Sequence, residues 1–91
     1  MDFSRLPGGD IVASGLRDLS ASRDSEAADL VLIGAPRLRR LGLDVPLDRS
    51  EGAEHRLYLR LAATDPHTAH SRYNALIRRL ISFERAAECA G

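Results

Sequence analysis

The chain has 91 residues, with 13 basic and 13 acidic side chains and a formal net charge of zero. This length allows one hydrophobic core, so we expect a single helical domain over residues 1–91 with frayed ends at residues 1–9 and 89–91. The zero charge argues against a general polyanion binder, and a single cysteine excludes an intrachain disulfide, as is typical of a reduced cytoplasmic protein.

All of the basic side chains are arginines, which we interpret mainly as the codon bias of a GC-rich genome and hence as a sign of a bacterial chain. No segment approaches the roughly 20 apolar residues of a membrane span, so no membrane partner is expected. Residues 1–6 lack the basic and apolar regions of a signal peptide. A cytoplasmic location is the resulting expectation.

The first predicted helix covers residues 10–22 and follows a break at residues 6–9, where Leu-Pro-Gly-Gly disfavours regular structure. Asp10 is suited to cap it. Gly15 opposes this prediction, because a glycine inside a helix costs about 1 kcal/mol relative to alanine. Its predicted apolar face consists of Ile11, Val12, Leu16 and Leu19.

A second helix is predicted through residues 27–33, with Asp24 or Ser25 as its cap. Pro36 ends or kinks it, because proline lacks the N–H that would continue the helical hydrogen bonds. A short third helix over residues 36–42 would begin with this proline and stop at Gly42. Its exposed side would carry Arg37, Arg39 and Arg40.

Residues 43–53 are predicted to form the longest loop, with Val45 and Leu47 as its anchors. Residues 54–63 have an ambiguous period. Apolar residues at alternate positions from Leu57 to Leu61 fit a strand, whereas the spacing of Leu57 and Leu61 themselves fits a helix. We favour a helix; the alternative is an α+β fold in which residues 30–33 supply a second strand.

The strongest signal is a long C-terminal helix at about residues 66–88. Asp65 is suited to cap it, and Pro66 suits the first helical position. A helix of about 22 residues would be roughly 33 Å long. Its apolar stripe contains Ala69, Tyr73, Leu76, Leu80, Phe83 and Ala87, and Ile77 and Ile81 widen it.

These elements predict an all-α fold, a small bundle of three to five helices packed on the long C-terminal helix. The predicted core consists of Val12, Leu16, Leu19, Leu30, Ile33, Leu38, Leu41, Leu57, Leu61, Tyr73, Leu76, Ile77, Leu80 and Phe83.

No catalytic constellation is recognisable, so we expect neither an enzyme nor a cofactor. His67 and His70 have a spacing that can chelate a metal, but further ligands on the same helix face are lacking, so two exposed histidines are expected instead. Cys89 lacks an evident base. Gly8 and Gly9 lack the lysine and hydroxyl residue of a phosphate-binding loop.

Two groups of arginines are the candidate binding residues. If both groups lie on one face, they are suited to contact phosphates or an acidic partner. They are Arg37, Arg39 and Arg40 in the first group, and Arg72, Arg78, Arg79 and Arg85 on the long helix.

The leading functional hypothesis is a non-catalytic protein–protein interaction or adaptor module. The long helix has a wide apolar stripe that a small chain covers poorly, so we expect a protein partner, with a homodimer as one possibility. The alternative is a nucleic-acid-binding regulator, in which residues 26–43 form a helix-turn-helix and the Arg37/Arg39/Arg40 cluster enters a groove. Leu30 is large for the crossing point of such a motif, and Pro36 stiffens the start of its second helix.

Overall fold

The computed structural model describes residues 3–90, and this part of the chain contains helices and no strand. The predicted all-α bundle is therefore confirmed. A short 3-10 helix at Phe3–Arg5 precedes five α-helices. These are α1 (Gly9–Ser20), α2 (Glu26–Ile33), α3 (Ala35–Arg40), α4 (Ala53–Thr64) and α5 (Ala69–Ala90).

The alternative with two strands is wrong, because residues 30–33 and 54–63 both lie in helices. Burial within α4 explains why the helical period prevails. Leu57 and Leu61 are fully buried one turn apart, whereas Leu59 between them is 53% exposed. A strand would place all three leucines on one face, and burial of that face would then have included Leu59.

Helix α2 is the most buried helix of the bundle. Residues 28–32 are all buried, and the helix packs against α1, α4, α5 and α3. Ser25 caps it, since its hydroxyl oxygen accepts a hydrogen bond from the backbone N–H of Ala28 at 3.0 Å. The buried residues 28–32 place α2 in the centre of the bundle, and α5 packs against both α2 and α4.

Gly15 lies where α1 crosses α2, and this contact explains a glycine inside a helix. The residue is buried. A Cβ atom at this position would collide with the carbonyl oxygen of Ala27 and would lie 2.5 Å from Cγ2 of Val31. The two helices therefore approach more closely than any side chain at position 15 would allow.

Helix α5 has 22 residues, as expected, but begins at Ala69 instead of residue 66. Asp65 caps a turn that precedes the helix. Its carboxylate accepts a hydrogen bond from the backbone N–H of His67 at 3.1 Å, and its carbonyl oxygen accepts one from Thr68 at 3.3 Å.

The predicted core residues at the centre of the bundle are buried, but the prediction also included residues that are only partly buried. Phe83, Leu30, Leu38, Leu57, Leu61 and Val12 are fully buried. Six predicted core residues are only partly buried: Leu16, Ile33, Leu41, Tyr73, Leu76 and Ile77. The loop between α3 and α4 has one of its two predicted anchors, because Val45 is fully buried whereas Leu47 is 48% exposed.

The N-terminal segment packs against the long helix. Residues 3–9, which were expected to fray, contain the 3-10 helix, and the Phe3 ring contacts the Phe83 ring edge-on with centroids 5.8 Å apart. At the other end α5 continues through Ala90. The predicted fraying of residues 1, 2 and 91 lies outside the described residues.

Candidate interaction groove

Four of the seven candidate arginines are bonded to other parts of the chain: Arg39, Arg72 and Arg79, and also Arg37, which pairs with Glu84 and Glu88. The Arg79 guanidinium donates to both carboxylate oxygens of Asp10, at 2.8 and 2.9 Å, and thereby joins α5 to α1. The Arg79 hydrogen bond holds the pKa of Asp10 below its ordinary value. Arg72 pairs with Glu26 at 3.6 Å, and Arg39 donates to the carbonyl oxygen of Val45 at 2.8 Å.

A groove lies between α5 and the segment that joins α2 to α3, and Arg37 and Arg40 are among the residues that line it. The groove has a volume of about 310 Å³. Its apolar lining consists of Ile33, Pro36, Ile77, Leu80 and Ile81. We refer to it as the α3–α5 groove.

The groove exists because α5 has a wider apolar stripe than the other helices cover. Leu80, Phe83 and Ala87 on the stripe are buried. Ile77 and Ile81, which widen the stripe, are only partly buried, and the neighbouring α3 is only six residues long. The excess apolar width predicted from the sequence therefore becomes one wall of the groove.

One side of the groove contains a buried carboxylate. Only 7% of the Glu84 side chain is exposed, and its Oε1 lies 3.6 Å from Nη1 of Arg37. Nε of Arg37 also lies 3.7 Å from Glu88. Burial raises the pKa of Glu84, the Arg37 guanidinium opposes this shift, and the Glu88 carboxylate adds to it.

Sequence reasoning missed the pairing between Glu84 and Arg37. The available signal was the position of Glu84, which lies one turn after Leu80 in the apolar stripe. A carboxylate at such a position is buried by packing and therefore needs a partner from another element.

The remaining cations at the groove have no carboxylate partner. Within residues 3–90, Arg40 and Arg85 have no ion-pair or hydrogen-bond partner. Nε of Arg78 donates only a long bond of 3.4 Å to the carbonyl oxygen of Asn74. Arg78 and Arg85 lie beside Ile81 on the helix surface, since residues three and four apart are neighbours in a helix.

A second depression continues from the groove across α3. It has a volume of about 620 Å³ and shares Pro36 and Arg40 with the α3–α5 groove. Leu43 and the exposed Leu47 contribute apolar surface to it. Pro36 and Arg40 therefore lie in the middle of an extended, partly apolar surface.

A second buried carboxylate, that of Asp29, forms ion pairs that the sequence did not suggest. Asp29 in α2 is buried, and its Oδ2 accepts a hydrogen bond from Nε of Arg60 at 3.0 Å, while Nε of Arg56 lies 3.7 Å from its Oδ1. Arg56 also donates to the carbonyl oxygens of Arg49 and Glu51, at 2.7 and 2.8 Å. This cluster joins α2, α4 and the preceding loop.

The residues considered for metal chemistry do not assemble into a centre. Nε2 of His70 lies 3.3 Å from the amide nitrogen of Asn74, and both His67 and His70 are exposed. Across residues 3–90 no group of three or more histidine, cysteine, aspartate or glutamate side chains is arranged to hold a metal ion. Cys89 is exposed near the end of α5.

Among the helices of residues 3–90, none combines the length and the apolar character needed to cross a membrane. No protein-family model matches the chain, and neither the curated proteins nor the solved structures contain a match to it.

Proposed function

We propose that this chain is a non-catalytic protein-interaction module that binds a partner protein through the α3–α5 groove. The observation that carries the proposal is the partial exposure of Ile77 and Ile81 opposite Ile33 and Pro36, in a groove that no other segment of residues 3–90 fills. A contiguous apolar surface with a polar rim is typical of a protein-binding site.

The charges at the groove support a protein partner over a nucleic acid. Glu84 and Glu88 lie beside the groove and pair with Arg37, so this arginine is not free to bind phosphates. Of the arginines in α3, Arg37 pairs with these carboxylates and Arg39 is bonded to Val45, so the cluster offers one unpaired cation instead of three. An isoleucine-lined floor also provides no hydrogen bonds for phosphates or bases.

A titration with designed peptides tests this proposal. Three helical peptides would share one face of leucines at i, i+3, i+4 and i+7 and differ in net charge: acidic, neutral and basic. Two-dimensional ¹H–¹⁵N NMR of the full chain would follow each titration. We expect at least one peptide to shift the resonances of Ile33, Ile77 and Ile81.

Matched variants on α5 make the result specific. Ile81→Ser removes apolar surface from the groove, whereas Ala75→Ser changes an exposed position of the same helix outside the groove. Ile81→Ser should weaken binding of every peptide by about tenfold, since losing one buried aliphatic side chain from an interface costs about 1.5 kcal/mol. If no peptide shifts the groove resonances at millimolar concentration, the proposal is wrong.

A further inference from the structure

We infer that the partner segment is an amphipathic α-helix with carboxylates beside its apolar face; this inference rests on the proposed function. The apolar part of the site has the shape that such a helix needs. Ile77 and Ile81 lie one helical turn apart along α5, and Ile33 and Pro36 face them across the groove. A groove with aliphatic residues at this spacing is suited to receive side chains at i and i+4 of an incoming helix.

The charge at the rims determines the chemistry of the partner. Arg37, Arg40 and Glu84 line the groove, Glu88 lies beside Arg37, and Arg78 and Arg85 lie beside Ile81 on α5. Both glutamates are paired with Arg37. Among residues 3–90, Arg40 on α3 and Arg78 and Arg85 on α5 have no carboxylate partner.

An acidic helix would satisfy these cations without disturbing the intrachain pairs. A carboxylate on one flank of the helix would meet Arg40 on α3, and a carboxylate on the other flank would meet Arg78 and Arg85 on α5. Guanidinium groups bind carboxylates with paired hydrogen bonds, and complementary charge at the rim determines which partner binds.

The same charges disfavour a second copy of α5 as the occupant. In α5 the partly exposed Ile81 is flanked by Arg78 and Arg85. If α5 of a second copy entered the groove through Ile77 and Ile81, it would bring these arginines towards Arg37 and Arg40. Like charges in this arrangement oppose binding.

The experiment measures the affinity of the three designed peptides by fluorescence anisotropy at low salt and in 0.5 M NaCl. At low salt the acidic peptide should bind at least tenfold more tightly than the neutral one, and the basic peptide should bind more weakly than both. Added salt should reduce these differences, because the rim charges are exposed to solvent.

A double variant identifies the cations responsible. Arg40→Gln combined with Arg85→Gln should reduce the affinity for the acidic peptide by about fivefold or more and leave that for the neutral peptide unchanged. Arg17→Gln, at an exposed position of α1 outside the groove, is the matched control. Circular dichroism would confirm that each variant keeps its helix content.

The possible failures of the two proposals are distinguishable. Equal affinity for the acidic and neutral peptides overturns the acidic-helix inference and leaves the proposed function standing, whereas absence of binding by every peptide overturns both. Sedimentation velocity that shows a dimer of the wild type and a monomer of Ile81→Ser identifies a second copy as the occupant and overturns the inference. Displacement of the acidic peptide by duplex DNA, with loss of DNA binding in the double variant, also overturns it.

Discussion

Replacing Gly15 with alanine should destabilise the protein, although alanine is the better helix former. The new Cβ atom would meet the carbonyl oxygen of Ala27 and Cγ2 of Val31, both in contact across the α1–α2 crossing. A backbone carbonyl of a buried helix cannot rotate away as a flexible side chain can. Helix α1 must therefore move outward, and contacts along the whole crossing would loosen.

The expected change in the free energy of unfolding for Gly15→Ala follows from two opposing effects. Overpacking in a well-packed core costs about 1–3 kcal/mol, and the upper part of this range applies because the obstacle is backbone. Replacing glycine with alanine inside a helix stabilises the helix by about 1 kcal/mol. The net loss in the free energy of unfolding should be about 1–2 kcal/mol, and a loss of about 1.5 kcal/mol would lower the Tm of a domain this size by roughly 6–12 °C.

Urea and thermal unfolding followed by far-UV circular dichroism would measure the loss. Ser14→Ala, at the neighbouring position of α1, is the control, because it improves helix propensity and loses only an exposed hydrogen bond from Arg17. We expect Ser14→Ala to leave the Tm unchanged or slightly raised. A Gly15→Ala variant at least as stable as the wild type would refute the close crossing.

Three further substitutions test the other contacts. Asp29→Asn should lower the free energy of unfolding in urea by about 2 kcal/mol, since hydrogen bonds to charged groups contribute about 1.5–3 kcal/mol. The control Asp44→Asn, at an exposed position, should leave it unchanged. Equal stability of the two variants would contradict a structural ion pair between Asp29 and Arg60. Because burial raises the pKa of Glu84 above 4.5, this side chain stabilises the fold when protonated and loses that contribution as pH rises through the raised pKa. Glu84→Gln should therefore improve in stability relative to the wild type between pH 4 and pH 7, and a constant difference across thermal melts in that range would exclude the shift. Phe3→Ala should cost about 1.5 kcal/mol through the lost edge contact with Phe83, and unchanged thermal stability would show that the N-terminal segment does not pack in solution.

The local features of this fold were readable in the sequence because they depend on neighbouring residues. Apolar spacing of three and four residues predicted the long helix, and its 22-residue length is as expected. Capping chemistry identified Ser25 as one of two possible caps of α2, and the structure selects it through the hydrogen bond from Ala28. For α4 the sequence period alone was ambiguous between helix and strand. The burial of both Leu57 and Leu61 in the structure follows the helical period.

The candidate groove depended on relations between elements that no local pattern encodes. The sequence identified both arginine groups, but only packing separates Arg79, which binds Asp10, from Arg85, which has no partner within residues 3–90. Likewise the apolar stripe indicates that Glu84 is buried, but only the fold shows that Arg37 of α3 is its partner. The sequence by itself determined the helices and the excess apolar width of α5. The tertiary structure alone decided where that excess stays uncovered and which charges surround it, because ion pairs and grooves form between residues that are distant along the chain.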